Sequence, residues 1–167
     1  RLLSCLSRSM KTKKLTEKRV QKIIWDSLQK NSYMVMIPNF YGAFGWEADV
    51  CGLTYSGYLH EFEIKLTPED LAHDKSKYKK MVRLKAAYMS GGDDRFLVPR
   101  HFYYVCTFWP NVGSIPDFAG AIVVDKETHE LKEIRNAPAL PGKKPNNAQI
   151  RKMLTSFCHR YWKVKYG

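Results

Sequence analysis

Apolar residues recur at helical spacing in EKRVQKIIWDSLQK, where Val20, Ile23, Ile24 and Leu28 share one face and Thr16 stands where an N-cap belongs. The pattern then shortens. YMVMIP is a brief run of β-compatible residues stopped by Pro38, and NFYGAFG, with two glycines among aromatics, predicts a loop. Two strands are expected next, Glu47–Thr54 and Tyr58–Leu66, joined through Tyr55-Ser56-Gly57 with glycine at the end of the hairpin loop. Thr67-Pro68-Glu69-Asp70 combines an N-cap threonine, a first-turn proline and acids beside the positive helix end. The helix it opens is expected to run towards Tyr88 and stop before Gly91-Gly92. GGDDRFLVPR predicts a loop, and HFYYVCTFW a buried strand. Residues 120–125 and 131–135 form a second hairpin around KETHE, and PALPGKKPNN is a linker. AQIRKMLTSFCHRYW is a last helix that sets Ile150, Met153, Leu154, Phe157 and Tyr161 on one face.

The order predicts a mixed α/β unit with helices packed on a sheet. A chain of 167 residues, 44% hydrophobic and 13% aromatic, can build one core. We assign it a single domain over residues 15–167, preceded by a flexible basic leader at 1–14. No apolar run approaches the roughly 20 residues that span a bilayer, which argues against a membrane protein. Cys5, Cys51, Cys106 and Cys158 are too scattered for a zinc site or a disulfide framework, so a reducing cytoplasm is the expected location.

Charge adds a partner. Twenty-eight Lys and Arg against 16 Asp and Glu leave a formal +12, a field that attracts polyanions, nucleic acid above all.

The candidate chemistry lies in EADVCGLTYSGYLHEFEIK, residues 47–65. With the loop at 55–57, Thr54 pairs with Tyr58, which sets Asp49 opposite Glu63 and Glu47 opposite Lys65. Alternation places Glu61, Glu63 and Lys65 on one face and Phe62 and Ile64 on the other. Directly opposed residues have Cβ atoms about 4.5–5.5 Å apart, where like charges destabilise. A divalent cation would relieve that repulsion. Mg²⁺ accepts oxygen ligands from an incomplete protein cage and keeps waters, the Ile64 carbonyl being a further candidate ligand. Lys65 beside it would orient the attacking water and offset phosphate charge. A solvated sheet face with cross-strand pairs such as Glu47 to Lys65 fits the same spacing.

EADV followed by EFEIK resembles the PD-(D/E)XK nuclease superfamily, whose restriction-endonuclease-like fold has an α-β-β-β-α-β core. EIKLTPEDLAHDKSKY, RHFYYVC and PDFAGAIVVDKETHELKEIRNAPAL are similar, more narrowly, to MmcB-like DNA-repair proteins and related phage proteins. The resemblance runs from Glu17 to the last helix. It implies that core, with a mixed sheet flanked by helices, plus a C-terminal β-hairpin and helix. It further implies a Mg²⁺-dependent deoxyribonuclease, with Mn²⁺ as substitute, in DNA repair or phage DNA metabolism. Asp49 and Glu63 become metal ligands and Lys65 the catalytic lysine, with Glu17 or Glu47 as a further acid. Ala48 replaces the motif's proline, which binds no metal. A non-catalytic DNA-binding module on the same fold, or an RNA- or junction-specific nuclease, shares these residues. No small-molecule cofactor is implied, and a homodimer is compatible.

HDKSKYKKMVRLK supplies cations on the helix after this site. Lys75, Lys77, Tyr78 and Lys79 are the nucleic-acid-binding candidates, with Trp46 in the glycine loop as a base-stacking candidate.

Overall fold

The computed structural model describes residues 15–74, 77–91 and 97–166. The leader at 1–14 and Lys75 therefore lie outside the described residues, as does most of the loop that begins at Gly91.

Helix α1 spans Glu17–Ser32, and the Thr16 hydroxyl caps it by accepting from the Arg19 amide. Strands β1 (Tyr33–Tyr41), β2 (Glu47–Thr54) and β3 (Leu59–Lys65) follow, then helices α2 (Pro68–His73) and α3 (Tyr78–Ser90). Strand β4 (His101–Cys106), a 3-10 turn at Val112–Ser114, strands β5 (Gly120–Val124) and β6 (Leu131–Arg135), and helix α4 (Asn147–Tyr166) complete the order. The six strands make one mixed sheet in the order β1-β2-β3-β4-β5-β6. The pairs β3–β4 and β4–β5 are parallel and the others antiparallel.

Both faces of the sheet are covered, as central parallel strands require. Val20, Ile23 and Ile24 of α1 pack on Val50, Phe62, Ile64, Val105 and Ile122. On the opposite face, Leu84 of α3 and Met153 of α4 close over Phe102, Tyr104, Ala121 and Leu140. The β2–β3 register is the one the loop position predicts, from Leu53 opposite Leu59 to Val50 opposite Phe62. Gly57 turns the hairpin at φ 85, in the left-handed region that glycine enters at little cost.

Three elements depart from the sequence reading. Strand β1 does not stop at Pro38 but continues to Tyr41. It is an edge strand, where a missing amide costs no ladder bond, and Asn39 takes φ 46 within it. The helix opened by Thr67 is broken: α2 ends at His73 and α3 begins at Tyr78. The intervening sequence has no apolar stripe to bury, and Asp74 and Lys77 instead turn into a cleft described below. In α4 Met153 is buried and Ile150 packs partly buried against the same core, while Leu154, Phe157 and Tyr161 are exposed, so only the start of the expected apolar stripe faces the core. The second half of α4 passes the β1 edge, where Arg160 donates to the Pro38 and Asn39 carbonyls at 2.7 and 2.8 Å.

Candidate active site

Backbone pairing of β2 and β3 ends at Val50–Phe62, one step before Asp49 and Glu63. The Asp49 carboxylate takes over the ladder's role there, accepting the Ile64 amide through Oδ2 at 2.7 Å. Both strands thus deliver a carboxylate to the mouth of a cleft of about 360 Å³, which Glu17, Lys65, Asp70, His73, Asp74 and Lys77 also line.

Alternation along β3 puts Glu61, Glu63 and Lys65 on one face, and all three are buried. They survive burial because each charge is met by an opposite one. Lys65 Nζ donates to Glu63 Oε1 at 2.9 Å and to Asp74 Oδ1 at 2.6 Å. Lys80, on α3, bridges Glu61 Oε1 and Glu63 Oε2, both at 2.6 Å. Lys77 reaches Glu63 Oε1 at 2.6 Å and Asp74 Oδ1 at 3.1 Å, and its side chain stays half-exposed at 52%. The Tyr104 hydroxyl donates to Asp74 Oδ2 at 2.9 Å, and Trp46 Nε1 donates to both Glu61 oxygens at 3.0 Å. The network ties β3, β4, α3 and the loop before β2 to the break between α2 and α3.

Its electrostatics divide the carboxylates. Burial would raise the Glu63 carboxyl, but the Lys80 and Lys65 ammoniums outweigh it and hold that group well below the usual range. Burial pushes Glu61 up to about 7 even against Lys80, helped by Glu63. Asp49 is pushed up to about 6, first by burial and then by the Glu63 charge, with the Ile64 amide opposing. Of the two carboxylates that β2 and β3 deliver to the cleft, Asp49 is thus the one raised above its usual range.

A stability consequence follows. A carboxyl whose folded pKa lies above the unfolded value of about 4 destabilises the fold as pH rises from about 4 through the folded pKa. Replacing Asp49→Asn should therefore remove a stability loss that wild type incurs between about pH 4 and pH 6. Denaturant melts of both proteins across that window test this, and parallel curves would count against a strained Asp49.

Of the two candidates for a further acid, Glu17 lines the cleft and Glu47 does not. Glu17 is fixed by Gln21 and Asn39, each donating to its Oε1 at 3.2 Å, and Gln21 also donates to the Asp49 carbonyl at 3.1 Å. Glu47 is exposed and sits beside Tyr41, and β2–β3 pairing stops at Val50–Phe62, so the expected Glu47–Lys65 opposition does not form. Tyr78 and Lys79 are exposed at the start of α3, whereas Lys77 is committed to Glu63 and Asp74. Trp46 is a correction: it is buried, stacked on Phe44 and bonded to Glu61, so it offers no face to a base.

The sequence reading missed Asp74, Lys80 and Tyr104. Lys80 belongs to the cation run HDKSKYKKMVRLK, and only its α-helical distance from Lys77, i to i+3, hints that both turn inward.

Among the described residues, no three His, Cys, Asp or Glu side chains converge as a ready metal site. Two carboxylates and a carbonyl nonetheless fit Mg²⁺, which binds through one or two carboxylates and keeps its remaining waters. Glu63 has both oxygens engaged by lysines, so Lys77, the exposed one of the three, is the partner that would yield.

No family model matches the chain, and no curated protein does. Among solved structures, a protein of unknown function from Silicibacter pomeroyi is similar, with a TM-score of 0.62 at 17% identity, covering 91% of this chain and 92% of its own. That likeness extends along nearly the whole chain and concerns the fold: an α/β protein with a six-stranded mixed sheet flanked by helices.

Proposed function

We propose that the chain is a metal-dependent DNA nuclease of the restriction-endonuclease-like PD-(D/E)XK type, hydrolysing phosphodiester bonds in the cleft between β2, β3 and α2. The observation that carries this reading is the convergence of Asp49 and Glu63 with a buried ammonium, Lys65, in one open cleft, where Lys65 pairs with Glu63. Mg²⁺ or Mn²⁺ would be held by Asp49, Glu63 and the Ile64 carbonyl, with Glu17 on the α1 side. When bound, such an ion polarises a phosphoryl oxygen and lowers the pKa of a bound water.

The chain's own contribution is positioning. Lys65 is fixed by Glu63 and Asp74, so its ammonium is aimed without reorganisation at a water or a phosphate oxygen entering the cleft. Tyr104 holds the far oxygen of Asp74 and so fixes that clamp. A role in DNA repair or phage DNA metabolism accords with the MmcB-like segments.

A DNA-binding module without turnover is the second reading, favoured by the engagement of both Glu63 oxygens by three lysines. Incubating labelled single-stranded, duplex, flapped and branched DNA, and RNA, with Mg²⁺ or Mn²⁺ separates the two. Cleavage in metal and none in EDTA supports the enzyme, and binding with no cleavage of any substrate supports the module.

Metal binding has its own readout. At a hundredfold excess over Kd, a ligand specific for the folded state stabilises it by about 2.7 kcal/mol. Mn²⁺ should therefore raise the melting temperature of wild type and leave that of Asp49→Ala unmoved. Equal shifts in both proteins would remove Asp49 from the ligand set.

A further inference from the structure

Helix α4 carries five Lys and Arg and no Asp or Glu, and its aromatics face outward. Tyr161 is 50% exposed, Trp162 58% and Phe157 37%. Phe157 closes a groove of about 670 Å³ against α1, where Lys18, Arg19, Lys22 and Trp25 form the other wall. Trp25 is 46% exposed, with the Lys22 ammonium 5.1 Å from its ring centroid. Tyr161 lies one helical turn beyond Phe157. The groove joins the acid cleft through a single turn of α1. Gln21 lines the groove, Glu17 lines the cleft, and the Gln21 amide bonds both Glu17 and the Asp49 carbonyl.

We propose that the α1–α4 groove binds an unpaired stretch of nucleic acid, with bases stacked on Trp25, Phe157 and Tyr161 and phosphates tracked by Lys18, Arg19 and Lys22. This deepens the nuclease reading and rests on it for the direction in which the strand runs, from the acid cleft past Gln21. Exposed ring faces interleaved with cations are how sequence-tolerant single-strand sites are built, and a duplex hides the base faces that such rings require. An anionic membrane also attracts basic aromatic helices, but it calls for a continuous apolar face lying in the interface. Here Met153 is turned into the core and Arg160 ties α4 to β1, which favours a strand-shaped ligand.

Fluorescence anisotropy with labelled oligothymidine of about 20 nucleotides, and with a duplex of equal length, tests the groove. The 167-residue chain is used, in EDTA so that nothing is cut. Trp25→Ala and Tyr161→Ala should each weaken oligothymidine binding about tenfold, within the range expected for losing one stacked base, and weaken duplex binding less. Replacing Lys18 and Arg19 together by glutamine should flatten the log–log salt dependence by about 1.4, two contacts at about 0.7 each. Thermal melts verify that the variants are folded, and the salt slope stands as a readout independent of the aromatic pair. Wild-type oligothymidine affinity and slope in every variant would overturn the proposal. So would equal losses for both nucleic acids, or losses confined to anionic phospholipid vesicles or to self-association. If wild type cuts DNA but the variants bind normally, the groove is refuted and the nuclease stands. If wild type cuts nothing yet the variants lose single-strand affinity, the groove stands and the nuclease falls.

Discussion

Replacing Lys65 by alanine is expected to lower Mg²⁺-dependent cleavage by about 10²–10³-fold while leaving DNA affinity nearly unchanged. The expectation rests on where the ammonium is held. Its two protein partners, Glu63 and Asp74, fix it at the cleft, and at 4% exposure it meets little bulk solvent that would screen it. A group preorganised in this way acts on charge that develops during reaction, so its loss appears in turnover more than in ground-state binding. Lys65→Arg should not restore activity, because a planar fork cannot occupy the position of a compact ammonium between two carboxylates. Removal of Lys65 leaves Asp74 with Lys77 and Tyr104, and Glu63 with Lys77 and Lys80, so the variant should still fold. Cleavage and anisotropy at a temperature below its melting point make the comparison. Undiminished cleavage would take Lys65 out of the chemistry, and parallel losses of binding and cleavage would make it a binding residue.

The largest stability effect is expected at Lys80. Its ammonium sits 2.6 Å from one oxygen of Glu61 and one of Glu63, and all three side chains are almost wholly buried. Lys80→Met keeps the volume and removes the charge, leaving Glu61 with the Trp46 N–H as its hydrogen-bond donor. Breaking a buried pair from one side costs about 3–5 kcal/mol. At about 2–4 °C per kcal/mol for a chain of this size, melting should fall by about 6–20 °C. The deficit should be larger at pH 8 than at pH 5. Glu61 already titrates near 7, and without Lys80 its folded pKa rises further above the unfolded one, so the penalty is present when the group is charged and fades as it is protonated. Adding Glu61→Gln to Lys80→Met should recover part of the loss. A single variant that melts like wild type at both pH values would show that the bridge contributes little to the fold.

Local chemistry made much of this arrangement legible. The Thr16 and Thr67 caps, the 55–57 loop and the period-two pattern of β3 are each set within a few residues, and together they place Asp49, Glu63 and Lys65 at one cleft before any tertiary contact is considered. Asp74, Lys80 and Tyr104 stayed hidden because their roles are set by partners 9 to 30 residues away, as in the bonds of Asp74 to Lys65 and of Tyr104 to Asp74. A lysine run reads as solvated until some of its members are seen to neutralise buried acids. Trp46 misled for the same reason: the loop that carries it folds inward because Glu61 needs a donor. The stripe on α4 misled in the opposite sense, since helical periodicity defines a face without saying what covers it.

The two borders of the sheet bear on how the chain behaves when crowded with copies of itself. A long, flat edge strand is a template on which another molecule can add its own strand. On one border, Pro38 lacks the amide that such pairing needs, Asn39 breaks the extended conformation, and Arg160 occupies both their carbonyls. On the other, β6 is five residues long and carries Lys132, Glu133 and Arg135. Sheet-to-sheet polymerisation is thereby discouraged at both ends. Arg160 reaches β1 from a helix more than 120 residues downstream, so on a growing or refolding chain the first border is the later one to be sealed. Aggregation during refolding should accordingly respond to Arg160→Ala more than the equilibrium stability of the finished fold does.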